Sequence, residues 1–106
     1  MPRQSLGEFE QLVLLAMLRI GRETYGVPIV EEIERQTGRE VSRAAVHVAL
    51  RRLEQKGLVR VRVESSGESP GKPRSMVRIE PEALEPLRES RRTLTRMWSG
   101  LERVLR

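Results

Sequence analysis

The chain has 106 residues, a formal net charge of +5 and no Cys, which suits a single domain and excludes disulfides, thiolate metal sites and a Cys nucleophile. With one His, no Asp and no nucleophile–base motif, the composition predicts neither an enzyme nor a bound metal or cofactor. The longest apolar run, residues 12–18, is too short to cross a bilayer and no segment resembles a signal peptide, so we expect a cytoplasmic protein without a membrane partner.

The first two predicted helices supply most of the apolar side chains. Helix 1 is expected over residues 6–20, with Ser5 as the N-cap and Glu8 completing a capping box. Its apolar stripe is so wide that we expect burial on two sides. Helix 2 is expected from residue 25 or 26 to residue 36, with Pro28 in the first turn, where a missing N–H is tolerated.

Helix 3 has an unusual outer face. It is predicted to begin after the N-cap Ser42 and to be closed by Gly57. A helix that meets only water on its outer side carries mostly charged residues there, but here small apolar side chains and arginines stand side by side. The predicted buried stripe is Val46, Ala49, Leu50 and Leu53, and the outer face is Ala44, Ala45, Val48, Arg51, Arg52 and Gln55.

The pattern then changes to a period of two. The segment LVRVRVE, residues 58–64, alternates apolar and charged side chains, which predicts a half-buried strand with Val59, Val61 and Val63 facing inward. A loop rich in Gly, Pro and Ser follows, and residues 75–79 predict a second short strand. The two strands would form a β-hairpin whose long basic tip carries Lys72 and Arg74.

The tail, residues 81–106, is predicted to form one more helix, with Pro81 at its first position. Mostly apolar residues at heptad spacing form a seam that a partner helix would bury, and the simplest partner is a second copy of the chain. The predicted dimer contact also includes the apolar face of helix 1. The alternative is that the seam packs on its own domain. The seam positions are Leu84, Leu87, Arg91, Leu94, Trp98, Leu101 and Leu105.

Three helices followed by a hairpin is the order of a winged helix-turn-helix. The fold class is therefore predicted to be mainly α with a small β-hairpin wing, comprising a winged-helix DNA-binding domain over residues 1–79 and a C-terminal dimerisation helix over residues 80–106. Residues 39–78 hold ten Arg or Lys against four Glu. This basic middle part indicates a polyanion partner, the alternative being solvated surface charge.

In a winged helix the third helix enters the major groove of double-stranded DNA. Small apolar side chains can approach base edges and thymine methyl groups there, while arginines reach phosphates or guanine edges. The wing tip is expected to contact phosphates, unless it is only a solvated loop. His47 either contacts DNA or lies at the boundary beside the wing. The predicted DNA-binding residues are Ser42, Arg43, Ala44, Ala45, His47, Val48, Arg51, Arg52, Lys72 and Arg74.

Three segments make the sequence similar to a known family: LVLLAMLRIGRETYG at residues 12–26, RAAVHVALRRLEQKGLV at residues 43–59 and the wing segment GKPR at residues 71–74. In these segments the chain resembles the PadR family of bacterial transcriptional regulators, and the resemblance extends over residues 6–98. It implies a winged-helix domain, a C-terminal helix that forms the dimer, and repression by operator binding. In members that have an effector, that effector releases the repression.

The chain departs from the family pattern at several positions. His47 stands where the family usually has Tyr in the recognition helix, and Met76 and Val77 stand where it usually has two Tyr in the second wing strand. Glu80 and Ala83 replace the usual Thr and Gly before the last helix. The missing Tyr side chains remove polar and aromatic contacts near the wing base, which affects the expected operator more than the expected fold.

The leading hypothesis is a homodimeric repressor bound to a pseudo-palindromic operator. An alternative from another class is a protein-interaction module whose basic face docks an acidic protein. An extension of the first hypothesis is a hydrophobic small-molecule effector bound between the dimer halves near Met97 and Trp98, although a Trp in this position is more often a seam anchor than a ligand platform. Family pockets of this kind use aromatic residues, and this chain has one Phe, one Tyr and one Trp.

Overall fold

A computed structural model describes residues 5–21, 23–64 and 74–105. Its mainly helical architecture with a small antiparallel sheet confirms the predicted winged-helix class. Lys72, one of the predicted DNA-binding residues, lies outside the described residues. The elements in chain order are α1 (Glu8–Ile20), β1 (Glu23–Thr24), α2 (Gly26–Thr37), α3 (Arg43–Gln55), β2 (Val59–Glu64), β3 (Arg74–Ile79), a 3-10 turn (Pro81–Ala83) and α4 (Leu84–Trp98).

The first three helices enclose one apolar core, and the sheet closes its remaining side. The predicted inner stripe of α3 is confirmed, because all four of its members are buried. Burying large aliphatic side chains is the main stabilising contribution in a domain of this size. The largest fully buried side chains are Leu14, Met17, Ile29, Leu53, Val13, Val46 and Val77.

The start of α1 differs from the prediction, and the capping box assigned to Ser5 and Glu8 is wrong. Gly7 is the N-cap, and its N–H donates to Glu10 Oε1 over 2.8 Å. The Glu10 carboxylate is buried and also accepts hydrogen bonds of 2.9 and 3.0 Å from Lys56 Nζ. Glu10 thus caps α1 locally and is also paired with Lys56, and the helix starts two residues later than the Ser5–Glu8 pattern suggests.

The observed bounds of α2 and α3 lie close to those predicted from the sequence. α2 ends one residue later than predicted, and Pro28 lies in its first turn. At α3 the predicted N-cap is confirmed, since Ser42 Oγ accepts the N–H of Ala45 over 3.0 Å. After α3, Gly57 has a φ of 76°, which favours glycine. The N–H of Leu58 then donates to the carbonyl of Leu53 over 2.9 Å and turns the chain into β2.

The sheet has three strands in the order β1-β3-β2, not the two predicted. The additional strand β1 pairs with β3 at Glu23↔Arg78 and Thr24↔Val77. β2 begins one residue later than predicted, at Val59, and ends at Glu64 as predicted, whereas β3 begins one residue earlier than expected, at Arg74. A strand of two residues shows no alternation of its own, so its existence depends on the neighbour that it pairs with.

The inward face of β2 is covered only at its base. Val59 is buried and Val61 is half-buried, but Val63 is 65% exposed, so its predicted inward position is wrong. At Val63 the hairpin has passed beyond the helical layer that covers the first half of the strand. An alternating pattern identifies the two faces of a strand but does not determine how far the core extends along it.

The last helix is shorter than predicted. It ends at Trp98, and Gly100 takes a φ of 86° beyond its end. The seam positions Leu101 and Leu105 therefore lie past the helix. At the other end, Leu87 packs against the core, so the first turns of the seam are held by their own domain. Residues 91–105 are exposed throughout.

Candidate nucleic-acid interface

The outer surface of α3 divides into two parts. With 3.6 residues per turn, Ala44 and Val48 lie opposite the buried stripe, whereas Arg43, His47 and Arg51, each four residues apart, follow one flank. All of them are outside the core, and Val48 is 48% exposed. The predicted DNA-binding residues of this segment that the structure places on the surface are Ser42, Arg43, Ala44, Ala45, His47, Val48, Arg51 and Arg52.

The flank of α3 that carries Arg43, His47 and Arg51 faces a cleft of about 950 Å³. The other two walls are formed by the start of α2 and by the wing strands β2 and β3. His47 is thus placed beside the wing, with Arg74 on the opposite wall. The lining from the other walls consists of Tyr25, Gly26, Val27, Val61, Arg74, Ser75 and Val77, and Glu54 is a carboxylate on the α3 side.

Arg52 occupies the other flank of α3, on the side of α1. Burial raises the pKa of Glu10, but the Gly7 N–H, the Lys56 ammonium and the charge of Arg52 together leave that pKa below its usual value of 4.5. Lys56 Nζ also donates to the carbonyl of Ser5 over 3.0 Å. The C-terminal end of α3 is therefore fastened to the beginning of α1 by a carboxylate that stays ionised at neutral pH.

The arginines of α3 differ from several other arginines of the domain, which are paired with carboxylates. Arg39 bonds to Glu8 over 2.9 Å, Arg60 lies 3.2 Å from Glu80, and Arg62 bonds to Glu23 over 2.8 Å. Within the described ranges, by contrast, the α3 guanidinium groups form no ion pair with a carboxylate. Exposed guanidinium groups without an internal partner are suited to hydrogen-bonding phosphate oxygens. This group comprises Arg43, Arg51 and Arg52.

The first residue of β3, at the end of the wing strands farthest from the pair Val59↔Ile79, contacts an aromatic side chain that the sequence analysis did not assign to the site. The guanidinium carbon of Arg74 lies 4.3 Å from the centroid of the Tyr25 ring. Tyr25 is half-buried and is the N-cap of α2. Nearby, hydrogen bonding to Glu23 and the charge of Glu64 raise the pKa of Arg62, which bridges both carboxylates.

The residues predicted for dimerisation and effector binding lie far from this cleft, on α4 and beyond its end. Leu94 is 52% exposed and Trp98 47% exposed, while Met97 is 71% exposed and lines none of the described cavities. A second cavity, of about 550 Å³, lies between the start of α1 and α4 and includes Leu6 and Leu94. In the described ranges, no cluster of His or Glu could hold a metal ion, and no helix is long and apolar enough to cross a membrane.

Comparison with known proteins gives the same architecture. Residues 14–81 match the Transcriptional regulator PadR-like family. A transcriptional regulator from Clostridium thermocellum is similar with a TM-score of 0.73 and 17% identity over 92% of each chain. A PadR family transcriptional regulator from Eggerthella lenta has a TM-score of 0.70 and 26% identity over 92% of this chain and 86% of its own.

A third similar structure is that of Bacillus subtilis PadR in complex with operator DNA. Its TM-score is 0.61 and its identity 18%, covering 77% of this chain and 46% of that chain. At this identity the likeness establishes the fold. No curated protein matches the chain.

Proposed function

Because this chain belongs to the PadR-like family of transcriptional regulators, we propose that it is a sequence-specific, DNA-binding repressor that acts as a homodimer in the cytoplasm. The observation that carries the proposal is the outer face of α3, where Ala44 and Val48 lie beside exposed arginines that have no carboxylate partner among the described residues. Bacillus subtilis PadR, which shares the fold, forms a complex with operator DNA.

The two parts of α3 suit different features of a DNA major groove. The small side chains of Ala44 and Val48 allow a close approach to base edges and can contact thymine methyl groups. Arg51 and Arg52 are long enough to reach the phosphates at the groove walls, where charge-assisted hydrogen bonds form without regard to base identity. The basic cleft beside His47 and the wing would then lie along the DNA backbone.

Dimerisation accounts for the apolar residues that a single chain leaves open. Leu94 and Trp98 on α4, and Leu15 and Leu18 on α1, are each more than 40% exposed. Large exposed apolar patches mark interaction surfaces, and a second copy of the chain is the simplest partner. A hydrophobic effector near Met97 and Trp98 would also need this second copy, because both side chains are open to solvent in one chain.

Selection of bound sequences from random duplex DNA at physiological salt tests the proposal. A dimer with two α3 helices on one side of the duplex is expected to select a pseudo-palindrome with half-sites about 10 base pairs apart. Footprinting on the selected sequence measures that spacing, and transcription from a promoter that contains it measures repression. Equal affinity for all duplexes would contradict sequence-specific binding. Failure to bind DNA, with capture of an acidic protein by the basic face, would support the alternative of a protein-interaction module.

A further inference from the structure

The contact between Tyr25 and Arg74 joins two segments that are far apart in the sequence. The guanidinium carbon lies 4.3 Å from the ring centroid, within the range in which the negative face of an aromatic ring attracts a cation. Tyr25 is half-buried, whereas Arg74 is exposed. One face of the guanidinium is therefore covered by a fixed ring, and the remaining side is open to the cleft.

The strand pairing explains why these two side chains meet. β1 pairs with β3 at Glu23↔Arg78 and Thr24↔Val77. Continuing this register by one residue places Tyr25 opposite Met76, so Arg74, two residues further along β3, is its diagonal neighbour on the same face. Diagonal neighbours in antiparallel strands are within reach of aromatic and long side chains.

Among the described residues, the carboxylates near Arg74 leave it available for an external anion. Glu64 is opposite Arg74 in the strand register, but its carboxylate lies 3.4 Å from Arg62. Glu54 lines the same cleft and makes no ion pair with Arg74. The cleft also contains Arg43, His47 and Arg51. Guanidinium groups that converge in one cleft repel each other, and a phosphate placed between them would remove that repulsion.

We propose that Tyr25 is a positioning residue for DNA binding: its ring holds Arg74 at the mouth of the cleft, where the guanidinium takes one phosphate of the DNA backbone. This inference rests on the proposed DNA-binding function and adds a residue to it. Tyr25 acts through Arg74, since the ring occupies the inner face of the guanidinium while the phosphate occupies its edge. The hydroxyl group of Tyr25 has no part in this role.

Four variants test the inference: Tyr25→Phe, Tyr25→Leu, Arg74→Ala and the double variant Tyr25→Leu with Arg74→Ala. Affinity for a fixed duplex is measured over a salt series. Losing one phosphate contact lowers the salt slope by about 0.9, which corresponds to roughly eightfold weaker binding at 0.1 M salt. We expect this loss for Arg74→Ala and most of it for Tyr25→Leu, with no further loss in the double variant.

The conservative variant and a structural control separate positioning from folding. Tyr25→Phe keeps the ring and should bind like the wild type. Val59→Ala removes buried apolar contacts at the opposite end of the β2–β3 ladder from Arg74 and should lower the melting temperature without changing the salt slope. Because Tyr25 is the only Tyr, ring-current shifts of the Arg74 side-chain signals in the free protein report the contact directly, and they should disappear in Tyr25→Leu.

The remaining outcomes each overturn a specific statement. If Tyr25→Leu binds with the wild-type affinity and slope, Tyr25 does not position Arg74, although the DNA-binding function stands. If Tyr25→Phe loses as much as Tyr25→Leu, the hydroxyl contacts DNA and the positioning role is wrong. Additive losses in the double variant would also contradict it. If the wild type binds no duplex at any salt concentration, the proposed function is wrong and this inference falls with it.

Discussion

Replacing Arg51 and Arg52 by Ala tests whether the face of α3, rather than the net charge of the chain, provides affinity for DNA. Both side chains are exposed and form no ion pair with a described carboxylate, so the change should leave the fold intact. If each arginine neutralises one phosphate, the salt slope falls by about 1.8, and binding weakens roughly 60-fold at 0.1 M salt.

The matched control is the pair Arg88→Ala and Arg92→Ala, which removes the same charge from α4. These two arginines lie 3.3 and 3.0 Å from Glu85 and hold its pKa below the usual value of 4.5. We expect this control to leave the salt slope nearly unchanged. Fluorescence anisotropy with a selected duplex and a scrambled duplex, each over a salt series, measures both variants under the same conditions.

Val48→Ala provides the contrast in the same assay. Removal of two methyl groups from the face opposite the core should alter the preferred base pair at one position, by roughly 1–3 kcal/mol, without changing the slope. The reasoning is refuted if the α3 double variant keeps the wild-type slope, or if the α4 control loses as much affinity. A loss confined to the selected duplex would assign the arginines to guanine edges instead of phosphates.

Two further predictions concern the dimer and the buried ion pair. Leu94→Glu should yield folded monomers in sedimentation, because Leu94 is already half exposed in one chain, and the melting temperature of this variant should not depend on protein concentration. Arg96→Ala, on another side of α4, is its control, and a monomeric wild type at micromolar concentration would contradict the dimer. Glu10→Gln should lower the free energy of unfolding by about 1.5–3 kcal/mol at neutral pH. Because folding lowers the pKa of Glu10, ionised Glu10 stabilises the fold above the usual pKa of 4.5, and this contribution is lost as the pH falls through the lowered pKa. If the difference in unfolding free energy between wild type and Glu10→Gln stays constant on acidification, ionised Glu10 is not the cause of that difference.

Elements with a local cause were predicted well. Ser42 caps α3 through a bond to a residue three positions away, and such signals are contained in the sequence itself. β2 was predicted to within one residue from the alternation of Val59, Val61 and Val63 with charged residues. The outer face of α3 could be predicted for the same reason, since helical periodicity fixes which residues lie opposite the buried stripe once that stripe is known.

Features that depend on distant partners were not predicted. β1 exists because β3 accepts it as a neighbour, and two residues carry no periodic signal. Tyr25 enters the site only through that pairing, so the wing side of the cleft was assigned without it. The heptad spacing predicted a helix through Leu105, but α4 ends at Trp98 and Gly100 takes a left-handed conformation soon after it. Heptad spacing shows which residues would share one side of a helix, but it does not show where the helix ends.

The ion pair between Glu10 and Lys56 joins the start of α1 to the end of the proposed recognition helix α3. Glu10 also accepts the N–H of Gly7 at the start of α1, and Lys56 directly follows α3, so this pair fixes the end of the proposed recognition helix against α1. α1 also carries Leu15 and Leu18, which are exposed and which the proposed dimer would cover. In a dimer formed through α1 and α4, the separation of the two α3 helices would therefore be set by rigid contacts within each copy. If α3 is held rigidly against α1, the dimer should accept only a narrow range of half-site spacings, whereas a loosely held α3 would accept a wider range.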